Sequence, residues 1–409
     1  MTQIALPQSR KDCEALDAAD PLRAARERFA LPAGVIYLDG HSLGPATHAA
    51  LQRVDTAARR EWVDGLIRSW NTAGWIDLPQ RVGAKLARLI GAKPEEVLAT
   101  DSVTVNLFKL AGAALKLVER PVLMFEQGDF PTDQYVVQGL AELTGTPPMQ
   151  IAQDGGLHTF AGSRGVLVKS VVDYRTSEVA DIAAWEAAAK TTGSVIVWDL
   201  SHAAGVVDID LNTLGVRLAA GCTYKYLNGG PGAPAFVYVS GVPDSFASPI
   251  WGWFAAENQF GFSAQFDQKP SAAGFAAGTP PVLSLATLDA ALDAFEGVAL
   301  ADVQAKARTL GDLIIARADA MGLETLSPRN ALRRGGHVSL RHEHGYAIVQ
   351  ALIARGIIPD FRAPDAMRFG VAPLYVRFVD VWDAMDALAD ILETGAWDRS
   401  EFHARAAVT

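Results

Sequence analysis

The feature that most constrains the fold is a regular alternation of short apolar runs with helical segments. The apolar runs are rich in β-branched residues and occur at 97–98, 122–125, 166–172, 194–198 and 235–239. Helical spacing separates them at 104–117, 133–143 and 178–190, after an earlier strand pattern at 35–38 and a helical one at 46–66. Strands that are apolar on both faces and alternate with helices are typical of a parallel sheet covered on both sides. The sequence therefore predicts an α/β fold with a mostly parallel sheet.

The pattern changes after residue 285. A long helical stretch runs to about residue 321, followed by a strand at 337–341 and helices at 346–355 and 379–393. Because the chain has 409 residues and single cores stop growing near roughly 250–300 residues, two domains are expected. We predict an N-terminal arm at 1–45 that joins the small domain, a large domain at 46–285, and a smaller α+β C-terminal domain at 286–409.

Charge and composition exclude several classes of partner. The net charge is −10, and no Lys/Arg-rich block is present, so neither nucleic acid nor an anionic membrane is an expected partner. No run approaches the roughly 20 apolar residues of a membrane span, and the first residues lack the basic end and apolar run of a signal peptide. Cys13 and Cys222 are too few for a disulfide framework. We expect a cytoplasmic protein with a small-molecule partner.

The most informative segment runs from residue 194 to residue 232. Asp199 and His202 follow a predicted strand, at the strand end where ligands bind in open α/β sheets. Lys225 is surrounded by apolar residues, two tyrosines and several glycines. Such a lysine can form a Schiff base, and an aspartate is what pyridoxal phosphate needs opposite its ring nitrogen. These residues alone leave open a pyridoxal-phosphate site and an unassigned α/β enzyme.

Two other motifs suggest different chemistry. GHSLG at 40–44 has the spacing of a nucleophile elbow, which makes Ser42 a candidate hydrolase nucleophile. No strand pattern precedes residue 35 to carry an oxyanion-hole loop, so a glycine-flanked turn is favoured. His342-Glu343-His344 resembles part of a metal site, but no neighbouring cluster completes a coordination shell, so no metal is expected.

Nine segments together resemble the bacterial kynureninases, which are pyridoxal-phosphate enzymes of fold type I (aspartate aminotransferase-like). In order they are YLDGHSLG, LIRSWNTAGW, VTVNLFK, FPTD, WDLSHAAG, CTYKYLNGGPG, GWF, GTPP and MRFGVAPLY, and they extend over almost the whole chain. The resemblance implies hydrolysis of L-kynurenine to anthranilate and L-alanine, a reaction of tryptophan catabolism and of the kynurenine pathway towards NAD biosynthesis.

The resemblance also assigns roles to particular residues. Lys225 is implied as the Schiff-base lysine, Asp199 as the partner of the ring nitrogen and Tyr224 as a proton shuttle. Arg368 is implied as the clamp of the substrate α-carboxylate. The remaining implied cofactor contacts are Val103, Thr104, Phe130, Thr132, Asp133, Ser170, His202, Trp253 and Thr279. In this family the phosphate is partly bound by a neighbouring subunit, which implies a homodimer with the site at its interface and Trp253 and Thr279 reaching across it.

The chain departs from the family pattern at two places. His41 stands where family members usually carry Asn, and Ala255-Ala256 stands where Gly-His usually follows GWF. The second change removes a polar group near cofactor and substrate, which bears on substrate preference or the level of activity.

Other functions remain as alternatives. Fold does not fix the reaction, so an aminotransferase or a cysteine desulfurase of the same fold is the nearest one, although Cys222 lies in an apolar run that suits no mobile reactive thiol. A serine hydrolase using Ser42 and a binding protein without catalysis are the alternatives from other classes.

Overall fold

The computed structural model describes residues 6–243 and 245–405. Its strands, in chain order, are β1 Ile36–Tyr37, β2 Val97–Ala99, β3 Val122–Glu126, β4 Pro148–Ile151, β5 Gly165–Ser170, β6 Val195–Asp199, β7 Leu218–Gly221, β8 Phe236–Val239, β9 Glu324–Thr325, β10 His337–Arg341, β11 Ile357–Ile358, β12 Asp360–Arg362 and β13 Ala366–Gly370. The α-helices are α1 Arg10–Ala19, α2 His48–Thr56, α3 Ser69–Thr72, α4 Leu78–Leu89, α5 Val103–Ala114, α6 Pro131–Thr144, α7 Gly156–Ala161, α8 Ile182–Thr192, α9 Val282–Ala291, α10 Leu300–Ala320, α11 Gly345–Ala354, α12 Phe378–Thr394 and α13 Ser400–His403.

The large sheet has seven strands in the order β2-β8-β7-β6-β5-β3-β4. Strand β8 pairs antiparallel with β7 and β2, and the other neighbours pair in parallel. Alternate residues of each central strand enter two separate apolar cores: Val195 and Val197 pack in one, and Ile196 and Trp198 in the other. Because both faces are covered, these strands read as nearly continuous apolar runs.

Local sequence signals position the helices that border the site. Ser102 caps α5, its hydroxyl accepting from the Val105 amide at 3.4 Å. Pro131 is the first residue of α6, a position where the backbone N–H has no partner within the helix, so its absence in proline costs no hydrogen bond. At the other end of α6, Gly145 is the C-cap and adopts a left-handed conformation. These capped starts place the two helix N-termini at the strand ends that carry the candidate site.

A smaller antiparallel sheet forms after the large one. Its order is β12-β13-β10-β9; α10 and α11 pack against it, and α12 packs against α10 and α11. From the N-terminal segment, β1 pairs in parallel with β11, joining Ile36 to Ile357. Among the described residues, no helix combines the length and apolar character that crossing a membrane requires.

The fold class is confirmed: a mostly parallel α/β sheet is followed by a smaller α+β unit. The boundaries after residues 45 and 285 stay predictions. The sequence patterns missed β4, because it begins at Pro148 on the sheet edge, where a missing N–H is tolerated. They also missed β7, whose residues Leu218–Gly221 are small and show little β-branching. The helix expected over 46–66 is α2 up to Thr56, continued by a π-helical segment at Ala57–Gly65.

Candidate active site

Two strand ends deliver the acidic side of the site. Asp199 ends β6 and Ser170 ends β5, and the two residues are register partners. Asp133, in the first turn of α6, accepts a hydrogen bond from Ser170 Oγ at 2.9 Å. Asp199 accepts from the Ser201 amide at 2.8 Å and from the Ser201 hydroxyl. Both carboxylates are buried, so three predicted residues converge where parallel strands end.

The electrostatics of this pair favour a cationic partner. Burial raises the pKa of Asp133 well above its usual range, and the neighbouring Asp199 charge raises it further. Burial also raises the pKa of Asp199, although the Ser201 hydrogen bonds and the charge of Lys225 act against that rise. Two buried acids side by side are stabilised by a positive group between or beside them. A protonated ring nitrogen meets that requirement.

Lys225 lies opposite these acids in an aromatic setting. Its Nζ is 3.2 Å from His202 Nε2 and 5.9 Å from the ring centres of both Phe130 and Tyr224. Burial and the charge of Lys225 lower the pKa of His202, so this imidazole stays neutral and can accept from the amine. The residues around Lys225 thus offer an amine, a neutral acceptor and two ring faces, as a flat aromatic aldehyde requires.

A cavity of about 470 Å³ adjoins Tyr224. Thr100, Asp101 and Ser102, which lead into the N-terminus of α5, line one side, and Thr279 lines the other. Val103 and Thr104 begin that helix. Helix N-termini bind phosphate through free amides and the helix dipole. The residues present therefore fit pyridoxal phosphate: lysine, acid, ring faces and an anion-binding helix end lie together.

The turn before α5 is held by an ion pair between a buried lysine and a partly exposed aspartate. Lys109 is fully buried and donates to Asp101 Oδ2 at 2.6 Å and to the carbonyl of Phe275. Asp101 has φ +46°, in the left-handed region, and its carbonyl accepts from the Ala235 amide at 2.8 Å. Lys109 thus ties both walls of the cavity together.

Phe130 and Thr132 lie at the start of α6, where Phe130 stacks edge-on against Tyr174 at 5.4 Å. Trp253 lies outside the lining of the cavity, and its indole donates to the Gln259 carbonyl at 2.6 Å. Its side chain remains 41% exposed. Within one chain, Phe130 and His202 lie beside Lys225 and Thr279 lines the cavity, whereas Trp253 lies on the surface.

Arg368 lies in β13 and is fully buried. Its Nε donates to Asp360 Oδ1 at 2.7 Å, its Nη2 donates to Asp360 Oδ2, and its Nη1 donates to the Tyr174 carbonyl at 2.6 Å. Asp360 in turn accepts from the Ser42 hydroxyl at 3.0 Å. Ser42 therefore belongs to a hydrogen-bonded cluster around two charges, and this contact supports the turn interpretation over a nucleophile.

Three buried imidazoles connect the two sheets. His41 stacks on His337 with ring centres 5.0 Å apart, and His337 lies 6.1 Å from His202. His41 fits because Gly370 lacks a side chain: a Cβ there would lie 2.3 Å from His41 Nδ1. The unusual His41 is thus a packed interior residue that reaches towards the Lys225 site through His337.

Asp39, His41 and Asp360 offer ligand atoms within 4.8 Å of one another. Two arginines already bind Asp360, with Arg362 Nη2 at 2.9 Å from Asp360 Oδ2. Their positive charges disfavour a cation at this position. His342 and His344 instead pack beside Trp397 in a turn, with His344 stacked at 4.3 Å.

Sequence reasoning missed Asp360, Arg362 and Tyr174. A signal for the first two exists, because charges at alternate positions in an otherwise apolar stretch share one face of a strand. Asp360 is also the register partner of Arg368. Tyr174 gave no signal, since it follows β5 in a loop whose path the sequence does not specify.

Ala255, part of the second family departure, is fully buried, and Ala256 forms an antiparallel bridge to Gln268.

Known proteins match both the sequence and the fold. The Kynureninase C-terminal domain family matches residues 303–388. The chain is 43% identical over 423 residues to Kynureninase of Pseudomonas fluorescens, covering 98% of this chain and 100% of that protein. It is also 43% identical over 415 residues to Kynureninase of Burkholderia mallei strain SAVP1, with the same shares covered.

Solved structures resemble it at lower identity. An apo cysteine desulfurase from Thermococcus onnurineus NA1 has a TM-score of 0.77 at 17% identity, covering 96% of this chain and 100% of that one. A C-DES variant with glycine covalently linked to its PLP cofactor has a TM-score of 0.76 at 18% identity, covering 89% and 99%. These likenesses confirm fold type I.

Proposed function

This chain belongs to the kynureninase family, and on that premise we propose how its residues perform the reaction. The protein is a hydrolase that cleaves L-kynurenine to anthranilate and L-alanine with pyridoxal phosphate as its cofactor. The observation that carries the residue assignment is the convergence of Lys225, Asp199 and Asp133 at the carboxyl ends of parallel strands. An aminotransferase or desulfurase reaction has no comparable support, because the relatives that match over nearly the full chain are named Kynureninase.

When bound, pyridoxal phosphate supplies an electron sink for the bonds around the substrate's Cα. We assign Lys225 to hold the cofactor and then to move the Cα proton, with neutral His202 at 3.2 Å accepting from its amine. Asp199 would keep the ring nitrogen protonated, because a buried carboxylate favours the charged form of a neighbouring base. The Ser170 hydroxyl fixes Asp133 at 2.9 Å, and because burial and Asp199 raise the pKa of Asp133, this second acid would be ionised only beside a bound cation.

Tyr224 is assigned as the proton donor of the later steps. Burial raises the pKa of its phenol, so at neutral pH it keeps a proton that it can donate to a developing negative charge. Tyr224 lines the cavity that leads to the N-terminus of α5, which would hold the phosphate. Val103 and Thr104 at the start of α5, and Phe130 and Thr132 at the start of α6, would complete the cofactor site.

We further propose a homodimer with the site at its interface. An aromatic surface cluster supports it: Trp253, Phe260 and Phe262 are 41–77% exposed, and Trp253 lies 5.8 Å and 6.4 Å from the other two rings. Thr279 is also exposed. Exposed aromatic clusters of this kind mark protein interfaces. A second copy covering this face would bring Trp253 and Thr279 to its partner's phosphate.

Borohydride reduction of the holoenzyme tests the cofactor assignment. The reduced cofactor should remain on the peptide that contains Lys225 and should be lost in Lys225→Ala. Lys190→Ala is the matched control, because Lys190 is an exposed lysine on α8. Label on another peptide would contradict the assignment. Sedimentation of the same preparations tests the dimer, and a monomer with full activity would overturn the shared site.

A further inference from the structure

Asp360 is shared by two arginines. It is buried in β12, it accepts from Arg368 Nε at 2.7 Å, and it forms a salt bridge with Arg362 Nη2 at 2.9 Å. The Ser42 hydroxyl is the second shared group, lying 3.3 Å from Arg368 Nη2 and 3.5 Å from Arg362 Nη2. The two guanidiniums therefore converge on one carboxylate and one hydroxyl.

The charges at this convergence do not balance. Two arginines face one carboxylate, Asp360, whose pKa is held well below its usual range, against the effect of burial, by the hydrogen bonds and charge of Arg368. His41 adds no positive charge, because burial lowers its pKa to about 4. Burial and the Asp360 charge raise the pKa of Asp39 to about 7, so this acid is only partly ionised at neutral pH. A net positive charge remains, which favours an anion.

The two arginines differ in the solvent exposure of their side chains. Arg368 is 1% exposed as a side chain and forks onto Asp360, whereas the Arg362 side chain is 38% exposed. Arg368 Nη1 donates to the Tyr174 carbonyl at 2.6 Å, and the Tyr174 ring packs edge-on against Phe130 at 5.4 Å. Phe130 in turn lies 5.9 Å from Lys225 Nζ. The excess charge therefore borders the site where the substrate's amine reacts.

We propose that Arg362 is a second, specificity-determining contact for the substrate α-carboxylate, which binds across Arg362 and Arg368 where both meet Ser42. Asp360 is the positioning residue that holds the two guanidiniums side by side. The inference rests on the role that the family resemblance implies for Arg368, binding of the substrate α-carboxylate, and adds to it Arg362, whose side chain is 38% exposed.

Two small probes separate a carboxylate contact from a structural role. L-Alanine carries the amine and the carboxylate, while ethylamine carries the amine alone. Each is titrated into the holoenzyme and followed by the cofactor's absorbance. A charge-assisted hydrogen bond lost from the carboxylate weakens binding about 10- to 100-fold.

Arg362→Gln should weaken L-alanine by that factor and leave ethylamine unchanged, while Arg362→Lys, which keeps the charge without the fork, should fall between. With kynurenine, KM should rise while kcat changes little. Arg355→Gln is the matched control, because Arg355 is 37% exposed and pairs with an exposed aspartate of the same small unit. Its L-alanine affinity should equal that of the wild type.

Equal losses for both probes, or no loss in Arg362→Gln, would overturn the inference. Arg368→Lys in the same assay tests the underlying assignment separately, since its failure to affect L-alanine would remove Arg368 and leave the result for Arg362 standing. Anthranilate formation by the wild type tests the proposed function separately. The binding assay does not depend on cleavage, so failure of the reaction and failure of the Arg362 inference can be told apart.

Discussion

The buried His41 should leave a measurable signature in how stability depends on pH. Burial and the charge of Arg368 lower its pKa to about 4 from the usual 6.5. Between those pH values the unfolded chain binds a proton at this residue and the folded chain does not. Stability from this group is therefore complete above about pH 6.5 and is lost as the pH falls towards 4.

The magnitude follows from the size of the shift. A gap of about 2.5 pH units at about 1.4 kcal/mol per unit amounts to about 3 kcal/mol of unfolding free energy at full titration. Over the accessible range from about pH 6.5 down to 5, about 2 kcal/mol should be lost through His41. His202 and His337 shift in the same direction, so the wild type should show a steep acid loss to which His41 contributes one proton.

Urea unfolding at fixed protein and cofactor concentration measures this loss. His41→Asn should give a shallower dependence of unfolding free energy on pH by about one proton between pH 5 and 6.5. His158→Asn is the control, because His158 is an exposed histidine on α7, and its curve should run parallel to that of the wild type. A His41→Asn curve parallel to the wild type would refute the idea that His41 is neutral and desolvated.

Three further substitutions probe the site. Asp199→Ala should fold but lose most turnover, because the acid keeps the ring nitrogen protonated; a near-normal kcat would show that the carboxylate is only structural. Ser42→Ala should keep kcat within about 10-fold, whereas loss of a serine nucleophile costs about 10⁶-fold, so steady-state kinetics decide between the turn and hydrolase interpretations. Lys109→Met should lower the unfolding free energy by about 1–3 kcal/mol and weaken cofactor binding, because it leaves the partly exposed Asp101 without its cationic partner before α5; urea unfolding and cofactor titration measure both, and an unchanged cofactor affinity would disconnect Lys109 from the phosphate turn.

The sequence predicted the parts of the fold that depend on local pattern. The apolar runs identify β3, β5 and β6, because alternate residues of each strand pack in the two apolar cores and the strand is therefore apolar on both faces. Asp199 and Lys225 could be singled out because an acid at a strand end and a lysine in an apolar, glycine-rich run are unusual residues for their surroundings. For the remaining cofactor residues and Arg368, the family resemblance rather than the pattern supplied the roles.

What the sequence could not give depends on contacts between distant segments. From the sequence, Arg368 was expected to bind the substrate α-carboxylate, and nothing indicated that its guanidinium also donates to Asp360. The antiparallel register of β12 and β13 brings these two residues together. Ser42, 318 residues from Asp360 in the chain, joins the same cluster. In the sequence, His41 was recognisable only as a departure from the family's usual Asn in a turn. Its stacking on His337 follows from how the N-terminal segment packs on the small sheet.

The central claim is most directly tested by mixing the purified holoenzyme with L-kynurenine and following anthranilate fluorescence together with L-alanine. The wild type should form the two products in equal amounts, and Lys225→Ala should form neither, while Lys190→Ala behaves as the wild type. Consumption of kynurenine without anthranilate, or anthranilate formation that survives Lys225→Ala, would contradict the account.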